Sequence, residues 1–250
     1  MGYIGVFDSG IGGLSVLRTL REALPDESFI YLGDGAHCPY GERSVEDIMC
    51  FTEEAVERLL AEGCKLIVLA CNTATAVAIK ALRERYPATP FVGLEPAVKP
   101  ATLHTKTGVI GVLATKRSLE GDHFRKSVEK YGAEVKILTA VGEGFVEAVE
   151  QNEEHTAKTA ELVRKAVQPL VDGGADQIVL GCTHYPFLRD VIERVAGDGV
   201  EIIDSAEAIA RRVASLLDEH NLRTEHGAEQ MCRYISFADE EYVEKLRMKG

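Results

Sequence analysis

Two cysteines occupy matching places in this chain. The stretches Lys65-Leu66-Ile67-Val68-Leu69-Ala70-Cys71-Asn72-Thr73 and Asp176-Gln177-Ile178-Val179-Leu180-Gly181-Cys182-Thr183-His184 share one design. A short apolar, β-branched run is followed by a small residue, a cysteine and hydrogen-bonding residues. Each thiol is expected at the end of a strand and the start of a helix, where the helix dipole favours the thiolate over a free thiol of pKa about 8.5. Two such thiols on opposite faces of one carbon can remove a proton from one side and return one to the other. They exchange roles between directions, and local hydrogen bonds can stabilise the carbanion without a cofactor. Other uses fit less well. A hydrolase with one nucleophile leaves the second cysteine unexplained, and a redox pair needs its sulfurs about 2 Å apart when oxidised. A binding module with incidental thiols is a further alternative, weakened by the repetition. His184, beside Cys182, reads as a proton shuttle or as a partner that polarises the thiol. Asp8 is its counterpart in the first half, whereas Asp34 and Asp204 read as turn or helix-capping residues.

The elements that must position these groups follow from the spacing of apolar residues. Residues 3–7 form an apolar run ending at Asp8-Ser9-Gly10-Ile11-Gly12-Gly13, and Leu14, Leu17, Leu20 and Leu24 follow at helical spacing until Pro25. The glycines allow backbone N–H groups to approach an anion, but the order is not Gly-x-Gly-x-x-Gly and no Walker lysine is present, which disfavours a dinucleotide or P-loop reading. Further strands are expected at 29–32, 66–70 and 90–94. A helix is expected from Ser44, its cap, to Glu62, with Gly63 as its stop. The pattern then restarts, with strands at 108–113, 134–138, 178–180 and 201–203. Helical continuations run through Phe145, Val149 and Glu150, around Val163, Val167 and Leu170, from Pro186 to Val195, and through Ile209, Val213 and Leu217. The polar tail from His220 is left unassigned. Strands alternating with helices predict an α/β protein with parallel sheets covered on both faces. The duplication favours two pseudo-symmetric, doubly wound domains over a single eight-fold barrel, which would give the same strand count. Ligands bind beyond the carboxyl ends of such strands, so the active site is expected in the cleft between the two domains.

Composition narrows the partners. The 250 residues are 46% hydrophobic and 27% charged, enough for a full core. No apolar run approaches the roughly 18 to 20 residues needed to span a bilayer. The first residues enter a strand without a basic leader, so neither a membrane nor a secreted location is expected. Cys38, Cys50, Cys64, Cys71, Cys182 and Cys232 are scattered without a Cys-x-x-Cys pair or Cys/His array. That spacing argues against a disulfide scaffold or a metal site and suits a reducing cytoplasm. With 28 basic residues interspersed among 40 acidic ones and a net charge of −12, no nucleic-acid partner is expected. An anionic substrate has to be held locally, by backbone N–H groups and hydroxyls.

Five motifs carry a resemblance. Asp8 to Gly13, Gly33-Asp34 with Pro39-Tyr40-Gly41, Ala70-Cys71-Asn72-Thr73-Ala74, Glu95-Pro96 and Gly181-Cys182-Thr183-His184-Tyr185-Pro186 occur in order over nearly the whole chain. Together they resemble the glutamate racemases of the cofactor-independent aspartate/glutamate racemase superfamily. The resemblance implies interconversion of L- and D-glutamate without pyridoxal phosphate, supplying D-glutamate for peptidoglycan, by a cytoplasmic homodimer. It implies that Cys71 deprotonates D-glutamate and Cys182 L-glutamate, with Asp8 assisting the first thiol, His184 the second, and Glu150 as a further acidic helper. Asp8, Ser9, Pro39, Tyr40, Gly41, Asn72, Thr73, Thr115, Thr183 and His184 are implied to bind substrate. The implied first domain spans 1–96 and 207–250, and the second 97–206. The chain departs from the pattern at Thr139 to Gly144, where many members carry a Cys-Pro pair, at Lys116-Arg117-Ser118, where a second threonine is common, and at Ala97, a usual glycine. An aspartate racemase of the same superfamily would keep both cysteines.

Overall fold

The computed structural model describes residues 2–132 and 134–250. They divide into two compact units: residues up to Leu94 with Ala206–Gly250, and Glu95–Ser205. The first unit begins β1 (Tyr3–Asp8), α1 (Leu14–Ala23), β2 (Phe29–Gly33), α2 (Val45–Ala61), β3 (Cys64–Leu69), α3 (Asn72–Arg85) and β4 (Phe91–Gly93). The second contains α4 (Val98–His104), β5 (Val109–Ala114), α5 (Lys116–Glu120), α6 (Asp122–Tyr131), β6 (Lys136–Val141), α7 (Phe145–Glu150), α8 (Ala157–Asp172), β7 (Gln177–Gly181), α9 (Arg189–Ala196) and β8 (Glu201–Ile203). The chain then returns to the first unit with α10 (Ala206–Glu219), β9 (Cys232–Ser236) and α11 (Glu240–Lys249).

All strand pairs are parallel, in two separate sheets ordered β4-β3-β1-β2-β9 and β6-β5-β7-β8. Two open sheets replace the barrel alternative. Their four-strand cores have the same order: the second strand lies on one side of the first, and the third and fourth on the other. The expected repetition is thus present in the topology of each sheet. In such a sheet the order reverses between the first and third strands, and the crevice beyond their carboxyl ends is the preferred ligand position. That switch point lies between β1 and β3 in one unit and between β5 and β7 in the other.

Burial follows from two-sided coverage. Strands β2 and β7 are buried throughout, as expected where helices pack on both faces. Edge strand β6 keeps exposed positions at Lys136, Thr139 and Val141. Leu14, Leu17 and Leu20 of α1 are wholly buried, and truncation of any of them to Ala costs about 2 to 5 kcal/mol. A separate core cluster of the first unit joins Phe7, Ile30, Leu32, Ile48, Val56 and Leu69, and one of the second joins Val98, Ile110, Val112, Phe124 and Val179.

Several parts of the fold differ from the expectation, α4 among them. The unassigned tail supplies β9, which extends the first sheet beside β2, with Tyr31 opposite Tyr234. Between β5 and β6 the chain forms α5 and α6, which the spacing did not predict. Apolar Phe124 and Val128 are i,i+4 neighbours there, amid charged residues that dilute the helical signal.

Candidate active site

In the first unit the chemistry gathers where β1 and β3 end. Cys71 caps the N-terminus of α3: the Ala74 amide donates to its Sγ over 3.4 Å, and the thiol lies 3.6 Å from the Ser9 hydroxyl. A sulfur in that position receives an amide hydrogen bond and the positive end of a helix, both of which favour thiolate. Asp8, wholly buried at the end of β1, accepts the Gly10 amide at 3.0 Å. The following loop packs so closely that a Cβ on Gly13 would stand 2.6 Å from the Asp8 Cβ, so only glycine fits. The Tyr31 hydroxyl fixes the same loop by donating to the Gly10 carbonyl at 2.7 Å.

A second group comes from the loop after β2. The Tyr40 hydroxyl donates to Asp34 Oδ2 over 2.6 Å, and both side chains are buried. Burial pushes the Tyr40 phenol far above its usual range, and the negative charges of Asp34, Cys71 and Asp8 push it further. The phenol therefore stays neutral and donates its hydrogen bond to Asp34. Asp34 opens the turn to His37, whose amide donates to its carbonyl at 3.4 Å, and its side chain does more than the turn reading expected. It anchors this loop, because its carboxylate also takes His37 Nδ1 at 2.9 Å. Pro39 directly precedes the short 3-10 turn Tyr40–Glu42, which contains Gly41; the opening amides of such a turn have no acceptor within it. Asn72 is buried, and neither polar atom of its amide has a hydrogen-bond partner. An orphaned buried amide beside a candidate base is costly in the protein alone and suits an incoming polar ligand. Thr73, next to it, is also buried.

The second unit builds a different arrangement around its thiol. Cys182 follows β7 in a bend, and a 3-10 turn, Tyr185–Leu188, intervenes before α9. The expected α-helix beginning at Pro186 is therefore displaced to Arg189, and Cys182 does not cap an α-helix. Dipole support, expected for both thiols, belongs to Cys71 alone. Cys182 has a side-chain partner instead. Its Sγ lies 3.9 Å from His184 Nδ1, while His184 Nε2 lies 2.8 Å from Glu150 Oε1. With Nε2–H donating to the carboxylate, Nδ1 is left as an acceptor facing the thiol. Carboxylate, imidazole and thiol thus form a chain in which the imidazole can accept the thiol proton and the carboxylate can stabilise the resulting cation.

Tyr185 braces this group. Its buried ring packs edge-on against Phe145, 5.1 Å between centroids, and its hydroxyl donates to the Gly142 carbonyl at 3.4 Å. Burial raises the phenol well above its usual range, and the neighbouring Cys182 charge adds to that. Thr115, at the end of β5, caps α5 through the Ser118 amide and donates to the Ser118 hydroxyl at 2.9 Å. Thr183 is buried beside Cys182. Asp204, read as a turn or capping residue, takes Arg189 Nη2 at 2.5 Å.

Each unit thus brings its own expected residues together: Asp8, Ser9 and Cys71 in one, and Cys182, His184 and Glu150 in the other. Sequence spacing missed the Asp34–His37 anchor and the Tyr185 brace.

Residues 4–213 match the family model described as Asp/Glu/Hydantoin racemase. A glutamate racemase of Ectopseudomonas mendocina is 47% identical over 94% of this chain and 89% of its own length. Among solved structures, glutamate racemase isoform RacE1 from Bacillus anthracis superposes with a TM-score of 0.90 at 34% identity, covering 99% of this chain and 93% of that one. The Francisella tularensis glutamate racemase in complex with D-glutamate gives 0.85 at 27% identity, over 99% of this chain and 93% of that one.

Proposed function

The chain belongs to the Asp/Glu/Hydantoin racemase family, and from that premise we propose that it interconverts L- and D-glutamate by proton transfer at the α-carbon between two thiols, without pyridoxal phosphate. It is an isomerase. The observation that carries the two-thiol reading is the equivalence of Cys71 and Cys182. Each follows the third strand of a sheet of the same order, beside that sheet's switch point.

In the D to L direction the Cys71 thiolate takes the Cα proton and the Cys182 thiol supplies one to the opposite face. The reverse reaction exchanges the two roles. One thiolate and one thiol are present before and after, so the protons balance. Asp8 assists Cys71, and His184, oriented by Glu150, assists Cys182. Ser9, Asn72, Thr73, Thr115 and Thr183, with the turn Pro39-Tyr40-Gly41, bind the substrate's carboxylates and ammonium. The unsatisfied amide of Asn72 supports that assignment. On a chain of net charge −12, these local donors have to outweigh the repulsion of an anionic substrate. The enzyme acts in the cytoplasm as a homodimer and supplies D-glutamate for peptidoglycan; sedimentation at twice the chain's 27.3 kDa checks the dimer.

The deciding assay follows L-glutamate, D-glutamate and L-aspartate by circular dichroism with no added cofactor. Both glutamate enantiomers should be consumed; turnover of aspartate with inert glutamate overturns the substrate while sparing the mechanism. In D₂O, deuterium should enter the product enantiomer sooner than recovered substrate. Equal early exchange into both indicates one base working both faces. Replacement of either Cys71 or Cys182 by Ser should abolish racemisation with substrate binding retained.

A further inference from the structure

His37 has no part in the reaction as described, yet it is built into the wall of the first half-site. Its Nδ1 lies 2.9 Å from both oxygens of Asp34, whose side chain is wholly buried. Its ring stacks on Phe51 of α2, 3.9 Å between centroids and 13° between planes. Its carbonyl accepts a hydrogen bond from Arg43 Nε at 3.1 Å, on the far side of the turn Tyr40–Glu42. Asp34 in turn receives the Tyr40 hydroxyl. His37, Asp34 and Tyr40 therefore form one chain of hydrogen bonds, and Phe51 fixes its outer end to a helix.

The consequence follows from what each group can donate. The Tyr40 phenol is committed to Asp34, so it has no proton for a ligand. What the turn can offer is its backbone, at positions set by where the Tyr40 ring is held. Asp34 sets the ring through a short bond to an ionised acceptor, the stronger kind of hydrogen bond. A buried carboxylate with one donor can rotate about its χ2 torsion; a second donor reaching both oxygens fixes its plane. His37 is that second donor, and the Phe51 stack removes the ring's own freedom.

We propose that His37 is a positioning residue for substrate binding. It fixes the Asp34 carboxylate that holds Tyr40, and through Tyr40 it fixes the backbone of the Pro39-Tyr40-Gly41 turn. This rests on the reading of that turn as part of the glutamate site. The role is one of placement, so its loss is expected in substrate affinity rather than in the proton-transfer step.

Three variants of the full chain separate the possibilities, each assayed for KM and kcat with D-glutamate and for thermal unfolding. His37→Phe keeps a ring to stack on Phe51 and loses the donor. His37→Asn loses the ring and keeps an N–H donor at the place of Nδ1. Tyr40→Phe breaks the last bond of the chain. The expected result is a KM raised about fivefold or more in His37→Phe, with kcat within about twofold of the unmodified enzyme. His37→Asn should retain a near-normal KM, and Tyr40→Phe should raise it at least as much as His37→Phe. If Tyr40→Phe raises KM and His37→Phe does not, the role of His37 is overturned while the turn's role stands. If neither variant moves KM, the reading of the turn as a substrate contact fails, and this inference with it. Equal rises in KM with equal losses of thermal stability in His37→Phe and His37→Asn show a packing role only, which also overturns the proposal.

Discussion

Cys71 and Cys182 are equivalent in sequence and topology, but the groups beside them differ. Cys71 has an amide, a helix terminus and the Ser9 hydroxyl; Cys182 has the imidazole of His184, backed by Glu150. Thermodynamics limits how that asymmetry can be observed. Enantiomers have equal free energy in an achiral solvent, so the equilibrium constant is one and kcat/KM must be the same in both directions for every variant. A mutation on one side lowers both values together. The asymmetry survives in which step limits the rate. Glu150→Gln keeps a hydrogen-bonding group near His184 but removes the charge that supports imidazolium. It should lower kcat/KM about tenfold or more in both directions, within the ordinary range for acid–base assistance. If Cys182 deprotonates L-glutamate, removal of its Cα proton becomes slower relative to the other step. The primary deuterium isotope effect should then grow with L-[2-²H]glutamate more than with the D enantiomer. A larger effect with the D enantiomer reverses the assignment of the two thiols.

At the scale of elements, most of the scaffold was legible because parallel strands buried on both faces are nearly continuous apolar runs. Seven of the eight strands of the two repeated cores, and helices such as the Ser44-capped α2, lie within a residue or two of where spacing places them, while β6 (Lys136–Val141) begins two residues and ends three residues after the expected 134–138. What escaped has a physical reason. β9 is a short edge strand in polar surroundings, and it needs only one buried face, so it lacks the apolar run. The 3-10 turn after Cys182 escaped because Pro186 opens an α-helix and a 3-10 turn equally well. The Asp34 anchor depends on the fold of a loop, which no periodicity encodes. The β6–α7 turn, where the chain departs from the family pattern, shows what such contacts demand. A Cβ on Gly142 would stand 2.5 Å from the Tyr185 hydroxyl and 2.8 Å from the Phe145 ring. Gly142→Ala should therefore destabilise by about 1 to 3 kcal/mol, the usual cost of overpacking. Because Tyr185 adjoins His184, the same variant should lose racemase activity at temperatures well below its melting point. Urea unfolding and activity measured side by side check both effects; normal activity in a destabilised protein shows that the Tyr185 ring does not set the position of His184.

For the whole molecule, charge and burial act at opposite ends of the pH scale. At the acid end, Asp26 is held below its usual range by His226 and Asp218 by Arg223. Burial raises Asp176, but the Thr105 hydroxyl and the amides of Lys106 and Thr107 outweigh it and hold the group low. These groups favour the fold above the unfolded carboxyl pKa of about 4, and the contribution is lost as pH falls through their folded values. Asp218 is exposed and Asp26 and Asp176 are partly exposed, which makes the acid loss shallow. The alkaline end comes from buried Cys64 and half-buried Tyr234. Burial and then Glu62 push the Cys64 thiol up to about 12, and burial with Cys232 pushes the Tyr234 phenol up to about 12. Both are held neutral by the fold. Their contribution is complete below the unfolded values, about 8.5 for a thiol and about 10 for a phenol, and is lost as pH rises towards 12. Between those limits each group adds a slope of about 1.4 kcal/mol per pH unit. Urea midpoints should therefore be flat from about pH 6 to 8 and fall steeply above about pH 9, more steeply than at the acid end. Cys64→Ala should lower the plateau by creating a small cavity, yet reduce the slope between about pH 9 and 10, where thiols of the unfolded chain titrate ahead of its phenols. An unchanged slope in that variant shows that Cys64 ionises as readily in the folded protein as in the unfolded one.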